Sequence, residues 1–276
     1  MHPPNLSELI KETAGWLRSR GIGKIDFGLI LGSGLGDVVK QFEILDLIPY
    51  REIPHLAGTS VMSHRGTLCH VRAGDQRGIV FQGRIHYYEG FEMWQVAYPV
   101  RILKAMGARL LITTGAAGGL NPEYEVGQIV ILNDHISLMP SNPLRGAHSS
   151  ELGSQFPDMS EPYSIELSAK IEKAAGQEGG KVSRGVYAGL PGPNLETRAE
   201  YAYLHKIGAD LVGMSIIPEV ITGVQAELKI AGVCVVSNQC YPPASVGKTT
   251  LEHVVQTVTE QAGLMGKLIY SSLIAS

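Results

Sequence analysis

The chain has 276 residues, 44% hydrophobic and 18% charged, a composition that excludes intrinsic disorder and allows a large buried core. Its net charge is −3 and no run of like charges occurs, so we expect neither nucleic acid nor a membrane surface as a partner. No apolar stretch reaches the roughly 20 residues that span a bilayer, and the opening residues lack a signal-peptide pattern, so we expect a cytoplasmic protein. The three cysteines form no CxxC pair, which predicts neither disulfides nor a cysteine-held metal.

Helical and extended patterns alternate along the chain. Amphipathic spacing predicts a first helix over 6–20, with Asn5 as its cap and Gly21 as its end. Apolar runs predict strands buried on both faces at 27–32, 77–83, 110–115, 128–134, 210–215 and 232–238. Further helices are predicted at 93–106, 196–206, 218–229 and 250–272. We therefore predict an α/β fold, with a single domain over 1–276 and a mixed, largely parallel central sheet flanked by helices.

One long irregular segment, 137–161, interrupts the alternation. It exceeds the about 12 to 15 residues of ordinary loops. We expect a loop of this length to cover a site or to reach a neighbouring subunit.

Glycine-rich turns follow the predicted strands, where open α/β sheets bind their ligands. Glycine contributes 33 residues, a larger share than the usual of about 7%. After the first strand, residues 32–36 (GSGLG) present backbone amides and the Ser33 hydroxyl, which suit a phosphate. A dinucleotide site would need GxGxxG and an acidic residue about 20 positions later, and GxGxG does not fit that pattern. A turn that serves only helix packing remains the alternative.

Arg84 and His86 directly follow another predicted strand and lie on the same side of an extended segment. An arginine fork beside an imidazole suits a dianion. The alternative is that Arg84 pairs with Glu89 while His86 caps a loop. The small residues 114–119 (TGAAGG) either let a flat or anionic ligand approach the backbone or serve only a tight turn.

Three further turns or strand ends carry a polar side chain. Glu196 follows a Gly-Pro turn at the start of a helix, where a carboxylate can also simply serve the helix dipole. Ser215 ends a strand near a helix N-terminus, which favours an anion. Asn238 ends another strand with an amide that both donates and accepts. Taken singly, each is an ordinary strand end.

Taken together, these segments resemble the purine nucleoside phosphorylases of the trimeric, low-molecular-mass type, in the same order over nearly the whole chain. The matching segments are LGSGLG (31–36), SHRG (63–66), GRIHYYEG (83–90), TTGAAGGLNP (113–122), NPLRG (142–146), GPNLETRAEY (192–201), GADLVGMSIIPEV (208–220) and SN (237–238). The resemblance implies a nucleoside phosphorylase fold. It also implies a pentosyltransferase for purine salvage, which reversibly converts inosine or guanosine and phosphate, or their 2′-deoxy forms, to free base and (deoxy)ribose 1-phosphate.

The resemblance also implies roles for individual residues. The phosphate site would comprise Ser33, His64, Arg84, His86, the backbone of Ala116, and Ser215. The ribose site would comprise Tyr88, Met214, His253 and, from a neighbouring subunit of a homotrimer, Phe156. The base site would comprise Ala117, Tyr187, Glu196, Met214 and Asn238. For His253 the alternative is an ordinary histidine on the surface of the last helix.

The implied chemistry needs neither a metal nor a cofactor, since inorganic phosphate is a co-substrate. A phosphate dianion beneath C1′ would attack it and stabilise the positive charge that develops on the ribose. Glu196 would accept from N1–H of the base and Asn238 would bond N7 and O6, and these two with His86 are the expected catalytic residues. Positioning and electrostatic stabilisation would carry the catalysis.

Three features depart from the family pattern, one of which is a segment after Asp134 that is shorter than in some members. Leu195 stands where an aromatic residue usually precedes the glutamate, and Gln239-Cys240-Tyr241 replaces small or basic residues after the asparagine. They leave the ranking of inosine, guanosine and xanthosine open. Two alternatives also stay open: a methylthioadenosine phosphorylase, which generally carries Asp in place of Asn238, and a non-catalytic purine- or anion-binding module of the same fold.

Overall fold

The computed structural model describes residues 3, 5–58, 65–146 and 150–275. Within them the strands are β1 (Phe27–Leu31), β2 (Glu43–Pro49), β3 (Thr67–Ala73), β4 (Gln76–Gln82), β5 (Leu110–Gly119), β6 (Ile129–Ser137), β7 (Val182–Gly189), β8 (Leu211–Gly213) and β9 (Lys229–Gln239). The α-helices are α1 (Leu6–Ser19), α2 (Met93–Val96), α3 (Tyr98–Ala105), α4 (Ile165–Gln177), α5 (Arg198–Lys206), α6 (Ile217–Gln225) and α7 (Leu251–Ile274).

The strands form one mixed sheet in the order β2-β3-β4-β1-β5-β8-β7-β6-β9. Because β9 also pairs with β5, the strands from β5 to β9 close into a ring, while β1 to β4 extend from it as an open wing. Parallel pairing joins β1 to β4 and β5, β5 to β9, β6 to β7, and β7 to β8. The other pairings are antiparallel. The predicted α/β class with a mixed central sheet is confirmed.

Helices cover both faces of this sheet. Successive side chains of a strand point to opposite faces, and in β1 Ile30 joins the hydrophobic cluster of α1, α3 and α6, whereas Leu29 joins that of α4 and α7. Both residues are fully buried. The apolar runs read from the sequence therefore reflect strands that lie between two helical layers.

The glycine-rich residues 114–119 were predicted to follow a strand, and this prediction is wrong. They continue β5 as far as Gly119, and this extension pairs with β9 on one side and β8 on the other. Glycine and alanine allow the neighbouring strands to approach closely here, since a Cβ on Gly119 would lie only 2.9 Å from Val236 Cγ1. The result is a strand with a nearly bare backbone, of which Gly115 to Gly118 line a cavity.

The sequence pattern does not predict every element of the fold. Strands β2, β3 and β7 and helix α4 were not predicted. The predicted helix 93–106 is interrupted at Ala97, which ends α2 and begins α3, and Pro99 then occupies the first turn of α3. Asn5 stands at the N-cap of α1 but makes no side-chain capping bond.

The close approach of β1 and β5 gives a stability prediction. A Cβ on Gly32 would lie 2.8 Å from the Cα of Gly115 and 2.9 Å from the carbonyl oxygen of Thr114. Because these are backbone atoms, Gly32→Ala should lower the free energy of unfolding by about 1–3 kcal/mol. Gly23→Ala is the matched control, since a Cβ there meets nothing within 4 Å. Urea unfolding would contradict this packing if the Gly32→Ala protein were as stable as the control.

Candidate active site

A cavity of about 150 Å³ opens where β1, β4, β5, β8 and β9 end. Its walls include ten of the residues that the sequence indicated as site residues, namely Ser33, Arg84, His86, Tyr88, Ala116, Ala117, Glu196, Met214, Ser215 and Asn238. Distant parts of the chain thus meet at one place, as the strand-end rule for α/β sheets predicts.

A buried ion pair organises one part of this cavity. Arg84 and Glu219 have side chains only 2% exposed, with Nε 2.9 Å from Oε1 and Nη2 3.2 Å from Oε2. Burial raises the pKa of Glu219, and the guanidinium of Arg84 opposes that rise. The hydroxyl of Thr113 also donates to Glu219. Arg84 pairs with Glu219 and not with Glu89, so the first half of the alternative is wrong. Its second half is confirmed, because His86 caps the turn that follows it.

The two terminal nitrogens of Arg84 also donate hydrogen bonds to hydroxyl groups. Nη1 donates to Ser215 Oγ at 3.0 Å, and Nη2 also reaches Thr113 Oγ1 at 2.9 Å. Ser215 is held in turn by its backbone N–H, which donates to the Tyr187 hydroxyl at 3.2 Å. Arg84 and Ser215 thus form a rigid, cationic donor pair suited to an oxyanion.

His86 lies beside this pair and is fixed by Glu89. The Glu89 carboxylate accepts from the backbone N–H of His86 at 2.7 Å and from Nδ1 at 3.0 Å. The ring stacks on Tyr88 with centroids 4.7 Å apart. Burial lowers the pKa of His86, and the bond to Glu89 acts in the opposite direction. His86 is also the N-cap of the short turn Tyr87–Glu89, and it forms a capping box with Glu89.

Glu196 and Asn238 occupy another part of the cavity wall. Glu196 is half-buried, and burial raises the pKa of its carboxyl although a bond from Tyr201 lowers it. It lies before helix α5, whose N-cap is Thr197 and whose capping carboxylate is Glu200. Glu196 is thus not the capping carboxylate of α5, although its place next to the N-cap leaves the helix-dipole alternative open.

Asn238 is held at both ends of its amide. Ser237 Oγ donates to Oδ1 at 2.7 Å, and Nδ2 donates to Cys240 Sγ at 3.2 Å. A side chain with both ends engaged is oriented before any ligand arrives.

Strand β5 separates the two groups. A Cβ on Gly115 would lie 3.5 Å from both Arg84 Nη1 and Ser215 Oγ, whereas a Cβ on Gly118 would meet Cys240 Sγ and lie 3.8 Å from Asn238 Oδ1. Three residues of an extended strand span about 10 Å. The cationic donors at Arg84 and Ser215 and the amide of Asn238 thus lie about 10 Å apart along β5.

Four predicted site residues do not line this cavity. Tyr187 is fully buried behind Ser215 and supports its backbone. His253 is exposed on the first turn of α7, beside Leu251 and Val254, which do line the cavity. Phe156 is 83% exposed and borders a separate depression. His64 lies outside the described residues.

Sequence reasoning gave no site role to Glu219 or Tyr201 and named Cys240 only as a departure from the family pattern. Tyr201 and Cys240 line the cavity, and Glu219 holds Arg84. Glu219 had a signal, since it is a lone carboxylate within the otherwise uncharged helix α6. Tyr201 had none, because its position on α5 is that of an ordinary core residue.

In the part of the chain that the structure describes, no three His, Cys, Asp or Glu side chains are grouped so that they could hold a metal ion. Among the same residues, no helix has the length and apolar character required to cross a membrane.

Comparison with known proteins identifies the family. Residues 26–274 match the family model described as the phosphorylase superfamily. The chain is 38% identical over 257 residues to purine nucleoside phosphorylase 1 of Bacillus subtilis, covering 93% of this chain and 94% of the relative. It is 36% identical over 272 residues to purine nucleoside phosphorylase of Bos taurus, covering 96% and 94%.

Solved structures agree with these relatives. The purine nucleoside phosphorylase of Schistosoma mansoni in complex with adenosine superposes with a TM-score of 0.90 at 33% identity, over 98% of each chain. The schistosome enzyme in complex with hypoxanthine gives a TM-score of 0.89 at 32% identity, again over 98% of each chain. The chain therefore belongs to the phosphorylase superfamily and, within it, to the purine nucleoside phosphorylases, which are pentosyltransferases.

Proposed function

We propose that this protein catalyses the reversible phosphorolysis of 6-oxopurine nucleosides, inosine and guanosine foremost, and their 2′-deoxy forms, in cytoplasmic purine salvage. The observation that carries the substrate class is Asn238 in the cavity wall. Its amide can donate to an oxo group at position 6, which an ionised aspartate cannot do. Glu196 complements it, because a 6-oxopurine carries a proton on N1 and adenine does not.

Phosphate would bind at the cationic end of the cavity. Arg84 Nη1, Ser215 Oγ, Ser33 and the backbone of Ala116 would hold its oxygens, with His64 and His86 as further ligands. Burial lowers the pKa of His86, and a dianion beside the ring would raise it. Phosphate and a proton on His86 would therefore bind together.

The ribose would lie between the two ends. Tyr88 and Met214 both line the cavity and both approach Gly192: a Cβ on Gly192, which has a φ of +66°, would contact Met214 Sδ and lie 3.2 Å from Tyr88 Cδ1. As the glycosidic bond breaks, the ribose becomes positive and the purine negative. Phosphate would stabilise the first charge and attack C1′, while Glu196 and Asn238 stabilise the second.

The proposed reaction uses phosphate as its co-substrate and requires no metal or cofactor. Both charges that develop in the transition state are met by groups already named, so positioning and electrostatics are sufficient. Ala117 would contact the base beside Asn238, whereas Tyr187 would act through Ser215. A role for His253 at the ribose remains a prediction.

The first prediction concerns phosphate. Inosine should be cleaved only when phosphate or arsenate is present. Ser215→Ala should raise the phosphate KM at least tenfold and leave the inosine KM nearly unchanged, because a hydrogen bond to a charged group contributes about 1.5–3 kcal/mol. Ser272→Ala is the control, since this buried serine bonds only locally on α7. Rapid hydrolysis without phosphate, or an unchanged phosphate KM, would contradict the assignment.

The second prediction concerns the base. Inosine and guanosine should be cleaved well and adenosine poorly, with a selectivity of about 1–3 kcal/mol or more from the unpaired polar groups. Asn238→Asp should shift the preference toward adenosine, and Glu196→Gln should slow inosine far more than adenosine. Initial rates with the three nucleosides would refute the assignment if the wild type cleaved adenosine as efficiently as inosine.

The same assignment fixes the pH dependence. Burial and Glu200 raise the pKa of Glu196 above its ordinary value of 4.5, against the bond from Tyr201. The acceptor for N1–H is therefore lost as pH falls through this raised value. The acidic limb of kcat/KM for inosine should have a pKa above 4.5, and Glu196→Gln should remove it. A limb that persists in this variant would assign the titration to another group.

The third prediction concerns assembly. Phe156 is 83% exposed and touches no part of this chain's own cavity, so we propose that it completes the ribose site of a neighbour in a homotrimer. Sedimentation should give three times the 29.7 kDa chain mass. Phe156→Ala should raise the inosine KM, whereas Ile165→Ala, at an exposed residue outside the cavity, should not. A fully active monomer would rule out the shared site.

A further inference from the structure

A buried arginine outside the active-site cavity connects two helices to the loop that carries Phe156. Arg101 lies on α3, is only 5% exposed and does not line that cavity. Burial lowers its pKa to about 10, so the guanidinium is still charged at neutral pH. In the part of the chain that the structure describes, no carboxylate lies within ion-pair distance of it. Because a buried charge is costly unless hydrogen bonds satisfy it, the partners of Arg101 indicate what it stabilises.

The hydrogen bonds of Arg101 fix the backbone of residues 152–156, which we call the Phe156 segment. Nη1 donates to the carbonyl oxygen of Leu152 at 3.1 Å, and Nη2 donates to Oε1 of Gln225 at 2.5 Å. Gln225 is the last residue of α6 and is 2% exposed, and its Nε2 donates to the carbonyl oxygen of Ser154 at 2.9 Å. One guanidinium and one amide therefore hold two carbonyl groups of the segment.

The amide of Gln225 is required in this arrangement because its two ends do different things. A guanidinium only donates, so the atom that faces Arg101 must be the amide oxygen. A carbonyl oxygen only accepts, so the atom that faces Ser154 must be the amide nitrogen. A glutamate at position 225 could still accept from Arg101, but it could not donate to Ser154.

Further backbone contacts restrain the Phe156 segment at the same place. Gly153 has a φ of +107°, and a Cβ there would clash with the carbonyl oxygen of Gln225. The backbone N–H of Phe156 donates to Ser154 Oγ at 3.3 Å. Pro157 follows, and the residue before a proline is restricted to extended conformations. The backbone of Phe156 is therefore held on both sides, although its side chain is 83% exposed.

An exposed aromatic ring on a restrained backbone is suited to contact with another molecule. The ring gains free energy when its apolar surface leaves water. A flexible loop would lose conformational entropy at that moment, whereas a segment that is already held avoids much of this cost. The restraining bonds all come from the chain that carries Phe156, so they do not depend on the molecule that receives the ring.

We propose that Arg101 and Gln225 are positioning residues for the ribose site of a neighbouring subunit, because they hold the Phe156 segment in the form that presents the ring. The inference rests on the proposed function, in which Phe156 completes that site. It adds that two buried residues of one chain control nucleoside binding in the next. Neither residue touches the substrate, and both act through Phe156.

The test is a double-mutant cycle of Gln225→Glu and Phe156→Ala, in which the inosine KM and the phosphate KM are measured. Gln225→Glu keeps an acceptor for Arg101 and removes the donor to Ser154. It should raise the inosine KM by about threefold to tenfold, the effect of about one hydrogen bond, and leave the phosphate KM nearly unchanged. In the Phe156→Ala background it should have no further effect, because no ring remains to be positioned.

A second variant and a matched control complete the test. Arg101→Lys keeps the charge but supplies one nitrogen in place of the two that hold Leu152 and Gln225. It should raise the inosine KM in the same way, and again only when Phe156 is present. Gln177→Glu is the control, since Gln177 also ends a helix, α4, but is exposed, and this change should alter neither KM.

The outcomes separate this inference from the proposed shared site. If Phe156→Ala raised the inosine KM while Gln225→Glu and Arg101→Lys did not, the positioning role would be wrong and the shared site would stand. Effects that add in the double variants, or a phosphate KM that rises as much as the inosine KM, would show a general structural effect and overturn the inference as well. An unchanged inosine KM in Phe156→Ala would contradict the shared site and the inference with it.

Discussion

The ion pair between Arg84 and Glu219 is the interaction on which the rest of the site depends. Removing two charges from water is costly unless their geometry and remaining hydrogen bonds compensate. Here Nη2 of Arg84 donates to Oε2 and Nε lies 2.9 Å from Oε1, while Thr113 and Ser215 engage further polar atoms of the pair. Arg84 thereby joins the end of β4 to β5, β8 and the first turn of α6. Replacing either partner would leave the other charge buried and unpaired, which should lower the free energy of unfolding by about 3–5 kcal/mol.

Because Arg84 and Glu219 are paired, a substitution of Arg84 has two effects. Arg84→Ala would remove a proposed phosphate ligand and also strand the Glu219 carboxylate in the core. Loss of activity in that variant would combine two effects, whereas Ser215→Ala removes a ligand with a smaller structural cost. The carboxylate of Glu219 balances the charge of Arg84. A dianion bound nearby would therefore also act on His86, whose pKa is lowered by burial, and would favour its protonated form.

The spacing of residues along strand β5 sets the distance between the two parts of the site. Gly115 faces the cationic cluster and Gly118 faces Asn238 and Cys240. A Cβ on Gly115 would press on Ile216, 3.3 Å away, and a Cβ on Gly118 would meet Cys240, so larger residues would displace neighbouring side chains, among them Cys240, which lines the cavity. The small residues of this strand thus serve two purposes, since they allow β8 and β9 to pair closely and leave the cavity wall bare.

Much of this arrangement could be predicted from the sequence. Strands buried on both faces leave continuous apolar runs, so β1, β4, β5, β6, β8 and β9 were found, and polar residues that follow several of them line one cavity. Strand β2 was missed because it lies at the sheet edge, where Ile44, Leu45 and Leu47 are exposed and no clear periodicity results. The roles of Glu219, Tyr201 and Cys240 depend on contacts between distant segments, which no local pattern encodes.

The central claim is that one cavity holds phosphate and purine at opposite ends of the β5 segment from Gly115 to Gly118. A crystal structure with phosphate and hypoxanthine bound together tests it most directly. The account predicts phosphate oxygens within hydrogen-bond distance of Arg84 Nη1 and Ser215 Oγ, with N1 of the base at Glu196 and O6 at Asn238 Nδ2. Phosphate bound away from Arg84, or hypoxanthine with O6 turned away from Asn238, would contradict it.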